Sequence, residues 1–364
     1  MKIEELREAL RALEDPRRTN KGNIRHKLED ILIIGLCSMI CNGNDFSDME
    51  DFGTARQTWL KQFLELPHGI PDSDTFRRVF ERLNPTELAK CLYDWLGAHR
   101  PEGSVVAIDG KTICGSRSTK HKAYHVVSAF VAENQLTLGE IATDEKSNEI
   151  TAVAELLDLI EVKGSIVTAD AMSCQKNIVQ KIHDKKADYV IALKGNQPSL
   201  YENAELYFQA FSSELPNIHT AEKGHGRIES RDCYLVTDLS WLPEQAQWSG
   251  LQALGMVRSK RISQGETSIE CRYYITSLTD VQQFAYAVRK HWAIENQLHW
   301  CLDVLFREDK ARARKDLSPL NLNIMRKIAL ALCKNADFGK RVSLQKRRYW
   351  ACLDPDTFLR ILFQ

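Results

Sequence analysis

The chain has 364 residues with 49 Lys or Arg against 49 Asp or Glu, 43% hydrophobic residues and 27% charged ones. This balance points to a folded rather than a disordered chain and gives no overall positive charge to mark a nucleic-acid partner, and the length predicts two or three globular domains. The longest apolar run, "ILIIGLCSMIC", has 11 residues against the roughly 20 that span a bilayer, so a cytoplasmic protein with no membrane partner is expected. Ten cysteines are scattered singly, which fits reduced thiols rather than a disulfide framework or a zinc ribbon.

Residues 1–100 read as a helical region, with apolar residues recurring at three and four positions in "LEDILIIGLCSMI" and "TWLKQFLEL". Within it, "GIPDSDTFRRVFERLNPTELAKCLYDWL" offers a helix capped by Asp or Ser, a turn at Asn84 and Pro85, and a second helix. A packed helical pair and a DNA-reading pair both fit that pattern.

At residue 101 the pattern turns to short β-rich runs. "SVVAIDGK", "YHVVSAFVAEN" and "QLTLGEIATDE" predict a three-strand meander, followed by the helix "EITAVAELLDLI", the strand "GSIVTADAM", the helix "QKNIVQKIHDKK" and the strand "DYVIALKGN". The order is βββαβαβ, an α/β class. Residues 200–280, with strands expected at "DCYLVTDL", "LGMVRSK" and "CRYYITSL", read as a β-rich insertion. From Val281 to Phe306 the period returns to 3.6, and the chain stays helical to its end. The predicted layout is a helical N-terminal domain (1–100), a catalytic domain (101–199 and 281–335), the insertion (200–280) and a helical basic tail (336–364).

Asp109 and Asp170 each close an apolar strand. Acids at the carboxyl ends of neighbouring parallel strands converge, and two close carboxylates call for a cation between them. Phosphoryl transfer uses such a pair with two divalent ions roughly 3.5 to 4 Å apart, although each aspartate can equally cap a turn. Glu295 is the third candidate. At 100° per residue, Ile294, Leu298, Cys301, Leu302 and Leu305 form an apolar stripe, with Glu295 half-buried at its edge beside His291, His299 and Asp303. Zinc fits "HWAIENQLHW" poorly, because histidines eight residues apart diverge by about 80° around an α-helix. Trp292 and Trp300 lie off the stripe, where stacking on bases and packing against the insertion are both open. From Arg307 to Arg348 there are 13 Lys or Arg against four Asp or Glu, a segment that fits either a solvated face or a DNA contact.

"VVAIDGKT", "IATDEKSNEITAVAELLDLI", "GSIVTADAMSCQK", "DYVIALKGNQ", "HGRIESR", "RYYITSL" and "HWAIENQLHWCLDVLFREDKARAR", in that order, resemble the insertion-sequence DDE transposases that include the bacterial H-repeat-associated proteins. The resemblance runs over most of the chain. It implies a ribonuclease-H-like catalytic fold with the three acids at Asp109, Asp170 and Glu295, holding two Mg²⁺ ions for which Mn²⁺ can substitute. It implies DNA partners, both the element's terminal inverted repeats and the target, and a homodimer that pairs two ends.

Related transposases often carry tyrosine, arginine, glutamate and lysine along this helix. Here Val288, His291 and Leu302 stand at the tyrosine, arginine and lysine positions. Contact with the DNA end then passes to His291, His299, Arg312 or Arg314. Lys111, Lys194, Asn196, His225 and Arg227 fall in loops or at strand ends where a phosphate contact and a solvated position fit equally. Two other functions fit the sequence: a nuclease on the same fold that cuts without joining, and a non-catalytic DNA-binding protein descended from a transposase.

Overall fold

The computed structural model describes residues 3–17, 24–97, 101–119, 122–143, 148–224, 227–263 and 266–363. The first part is helical: α1 (Ile3–Arg11), α2 (Leu28–Ile40), α3 (Phe46–Ala55), α4 (Gln57–Leu60), α5 (Ser73–Phe80) and α6 (Pro85–Trp95). The caps explain the boundaries. Asp72 accepts the Thr75 N–H to open α5, and Asn84 accepts from Thr86 and Glu87 ahead of Pro85 at the first turn of α6. All 13 residues of α2 are buried.

The strands are β1 (Val105–Thr112), β2 (His125–Val131), β3 (Leu136–Thr143), β4 (Ile166–Ala169), β5 (Asp188–Leu193), β6 (Asn217–Gly224), β7 (Arg227–Val236), β8 (Ala253–Ser263) and β9 (Glu266–Thr276). Between them run α7 (Glu149–Leu159), α8 (Lys176–Asp184) and α9 (Pro198–Phe211); after them come α10 (Val281–His291), α11 (Ser318–Asn335), α12 (Leu344–Leu353) and α13 (Pro355–Leu362). One mixed nine-stranded sheet results, ordered β3-β2-β1-β4-β5-β9-β8-β7-β6. β1, β4 and β5 are parallel and the meander β1-β2-β3 is antiparallel.

Residues 200–280 hold more than the three predicted strands. They begin inside α9, a helix whose Leu200, Ala204 and Phe208 are buried, and they include β6, whose polar sequence hid it. Their strands also join the main sheet, because β9 pairs antiparallel with β5 from Val190↔Thr276 to Leu193↔Tyr273. That pairing covers an edge that β5 would otherwise leave open.

The pleat sorts the sheet into two cores. Val106 and Ile108 belong with α7, α8 and α9 on one face, whereas Val105 and Ala107 belong with α2, α5, α6, α11 and the segment after α10 on the other. The N-terminal helices therefore share a core with the C-terminal ones: Asn321 of α11 donates to the carbonyls of Phe80 and Leu83, and Lys327 of α11 lies with Tyr93 of α6 on one Glu140 oxygen.

The predicted helix from Val281 to Phe306 is not uniform. α10 ends at His291, and residues Ile294–His299 and Cys301–Leu305 are π-helical. The Trp300 N–H bonds to the Glu295 carbonyl and the Phe306 N–H to that of Cys301, both five residues back. π-helical turns of this kind recur at functional sites.

Candidate active site

The pleat puts Asp109 and Asp170 on one face. Ala107 pairs with Thr168 and Ile108 with Ala169 in parallel register, so the next position sets Asp109 beside Asp170 on strands about 4.8 Å apart. Both side chains follow Ala107 and Thr168 in parity, toward the helix that carries Glu295. Asp109 does not end its strand as predicted, since β1 runs on to Thr112 against β2. Asp170 does sit just beyond β4.

Electrostatics record the convergence of the three acids. Burial first, then the charge of Asp170, push the Asp109 carboxyl up to about 7, with Glu295 adding to the rise. Desolvation and the Asp170 charge likewise raise Glu295, against His291 and Arg272. Like charges that raise a carboxyl's pKa lie close to it. Glu295 is exposed, not half-buried as the α-helical angle predicts. The apolar stripe holds for Ile294, Leu298, Cys301 and Leu302, all buried; the wider π turns leave the carboxylate on the solvent side.

The two histidines stand against the two aspartates. His291 Nδ1 lies 3.0 Å from the Thr168 hydroxyl and its Nε2 3.6 Å from Asp170. That contact holds Asp170 below the usual carboxylate range. His299 Nδ1 lies 3.5 Å from Asp109, the separation of an ion pair. Burial and then the charges of Lys327 and Lys111 push His299 down to about 3, however, so it is neutral near pH 7 and the contact is not ionic. Its Nε2 is buried without a hydrogen-bond partner among the described residues.

Arg272 of β9 was missed by the sequence reading. Its guanidinium lies 5.0 Å from the centre of the Trp292 ring, is paired with Glu270 at 2.8 Å, and lowers the pKa of both Asp170 and Glu295. Trp292 is thus half-buried under an arginine, whereas Trp300 is 53% exposed. No local signal marks Arg272, because only the β9–β5 pairing brings it to the acids.

Lys111 is not at the surface. Its ammonium, 10% exposed, meets Asp303 at 2.7 Å and the fully buried Glu308 at 3.0 Å. Lys194 is exposed and contributes positive charge at Asp170. The Asn196 amide donates to the Ala171 carbonyl at 2.7 Å and so ties the loop after β5 to the loop of Asp170. Arg312 is exposed; Arg314 donates to the Gly115 carbonyl at 3.0 Å. His225 lies outside the described residues, and Arg227 opens β7.

Three carboxylates supply only oxygen, the donor set of Mg²⁺ and Mn²⁺, and their mutual repulsion is the charge such an ion offsets. They form no closed shell: among the described residues, no three His, Cys, Asp or Glu side chains are gathered to hold a metal unaided. An open arrangement suits magnesium, which takes one or two carboxylates and fills the remainder with water and substrate phosphate.

The chain is similar to proteins named as transposases. A sequence-family model described as "Transposase DDE domain" matches residues 100–332, and one described as "DDE_Tnp_1-associated" matches residues 7–96. Over 96% of its length the chain is 38% identical to a protein of Escherichia coli O157:H7 named "Putative transposase YncI", covering 92% of that protein. It is 36% identical over its whole length to "H repeat-associated putative transposase YhhI" of Escherichia coli K12, of which it covers 98%. A shorter K12 protein, "Inactive transposase YbfQ", is 37% identical over 22% of the chain. No helix among the described residues is long and apolar enough to cross a membrane. With a transposase DDE model matched across the sheet and the helices that follow it, the chain belongs to the DDE transposase family.

Proposed function

We propose that the protein is a DNA transposase that nicks the ends of its element and joins the freed 3′-hydroxyl to target DNA, with Asp109, Asp170 and Glu295 as the catalytic acids. The observation that carries this reading is the pleat relation: Asp109 on β1 and Asp170 just beyond the adjacent parallel β4 face the helix bearing Glu295, and the charge of Asp170 raises the pKa of the other two acids. The meander and two parallel strands, in the order β3-β2-β1-β4-β5, support a ribonuclease-H-like core over residues 101–199 and 281–335.

The three acids would hold divalent ions, which when bound polarise the attacking and leaving oxygens of an in-line displacement at phosphate. The chain's own groups do the positioning. Thr168 fixes the His291 ring beside Asp170, and neutral His299 packs on Asp109 without adding charge. Arg272, held over the Trp292 ring, offers a guanidinium to a DNA phosphate next to the acids. Trp300, Lys194 and Arg312 are exposed, and on this reading they would stack on bases and neutralise phosphates.

The test is a strand-transfer assay on pre-cut element ends with Mg²⁺ or Mn²⁺. Joined product supports the transposase; cleavage without joining favours the nuclease. Binding without either reaction favours the non-catalytic reading.

A further inference from the structure

A cleft of about 650 Å³ lies beyond the helix of Glu295, with Val304, Arg307, Ser343, Lys346, Arg348 and Tyr349 in its lining. Its walls carry three cations and no carboxylate. That is unusual for this chain, whose net charge is zero. Elsewhere several basic side chains are matched: Arg77 with Asp74 and Glu81, Lys181 with Asp158, and Arg289 with Glu222.

Arg348 forms the floor. It is 2% exposed, its guanidinium carbon sits 3.9 Å from the centre of the Phe306 ring, and it donates to the carbonyls of Leu305 and Met39. Those are carbonyls at the ends of the π-helical segment and of α2, so two helix termini offset part of its charge. No carboxylate pairs with it among the described residues, and its Nε is buried with no hydrogen-bond partner. Arg307 and Lys346 are exposed and make no ion pair among the described residues. The N-terminus of α12, capped by Ser343, forms part of the same wall. At the rim, Val304 and Tyr349 are 51% and 56% exposed, apolar surface suited to sugars and base edges.

We propose that this cleft binds the phosphodiester backbone of DNA flanking the cut. The inference rests on the reading of the chain as a DNA transposase and assigns that reading a second contact region. The distance fits. Leu305 lies ten residues beyond Glu295 on one helical run, about 15 Å at most, or roughly four base-pair steps at 3.4 Å. Duplex lying along this helix would reach the acids and the cleft together.

The experiment uses the full chain and a labelled 30-base-pair duplex, with binding followed by anisotropy across a salt titration. The R307Q/K346Q double variant removes two charges at exposed positions, and a thermal melt matching the parent shows that it folds. Two lost phosphate contacts predict a salt slope shallower by about 1.8 and binding roughly 10- to 30-fold weaker near 0.15 M salt. Y349A should weaken binding with the slope unchanged.

Parental affinity and slope in the double variant overturn the proposal. If inorganic pyrophosphate then raises the melting temperature of the parent but not of the double variant, the cleft is a small-anion site instead. A parent that binds no duplex at all refutes the transposase reading itself, before any variant is made.

Discussion

The Lys111 ammonium, two residues beyond Asp109 on the same strand, lies 3.0 Å from a Glu308 carboxylate that has no solvent exposure. Asn323 donates to the other oxygen of Glu308 at 2.8 Å, and Arg326 approaches it at 3.6 Å. This buried cluster fastens the strand of Asp109 to the segment that follows the helix of Glu295, two of the proposed catalytic acids. Truncation in Glu308→Ala leaves Lys111 and Arg326 buried without their shared anion, which is expected to cost about 3–5 kcal/mol. Urea unfolding measures it; a loss below about 1 kcal/mol would show that the cluster is not structural.

The same docking is tested from the glycine side. A Cβ on Gly115 would come within 2.7 Å of the Glu308 carbonyl and 2.8 Å of that of Ala311, both backbone atoms. Gly115→Ala should therefore push residues 308–311 away from the end of β1, with a stability loss of about 1–3 kcal/mol and a larger fractional loss of cleavage. An unchanged melt and unchanged activity would contradict that contact.

Much of this arrangement was legible in the sequence, and the remainder was not for identifiable reasons. The apolar runs ending at Asp109 and Asp170 announce strands, and the stripe from Ile294 to Leu302 announces a helix, because both rest on local periodicity. The π-helical turns around Glu295 have no such signature: an α-helical count predicts the right apolar face and the wrong exposure for the acid. Lys111 reads as a surface lysine because its partner lies 197 residues away. Arg272 reads as one more charged strand residue until β9 is seen to pair with β5.

Asp30, near the start of α2, gives a pH prediction. It is 1% exposed and forms no ion pair among the described residues. Burial, then the neighbouring Glu29 charge, push it up to about 6. An acid whose folded pKa lies above its unfolded value near 3.9 binds protons in the folded state. Stability therefore falls as pH rises from about 4 to 6, and the penalty is complete above that window. Asp30→Asn should raise the unfolding free energy at pH 7.5 by roughly 1–3 kcal/mol, change it little near pH 3.5, and flatten the slope between. An equal effect at both pH values would rule out ionisation as the cause.

Arg272 should matter to chemistry more than to folding. Its removal in Arg272→Ala frees Glu270 and exposes one face of Trp292, but the group is only half-buried. The melt should shift little, and cleavage should fall by about 10- to 100-fold through the lost phosphate contact. Recovery by Arg272→Lys should be partial, since an ammonium lacks the planar fork and stacks less well. Full activity in the alanine variant would remove Arg272 from the site.

The most direct measurement concerns Glu295. Cleavage and joining of DNA carrying the element's ends, assayed with Mg²⁺ for the parent and for Glu295→Gln, compare two proteins that differ in one exposed carboxylate. Loss of both reactions in the variant, with duplex affinity and melting temperature kept, is the expected result; cleavage at the parental rate would contradict the assignment of Asp109, Asp170 and Glu295 as one site.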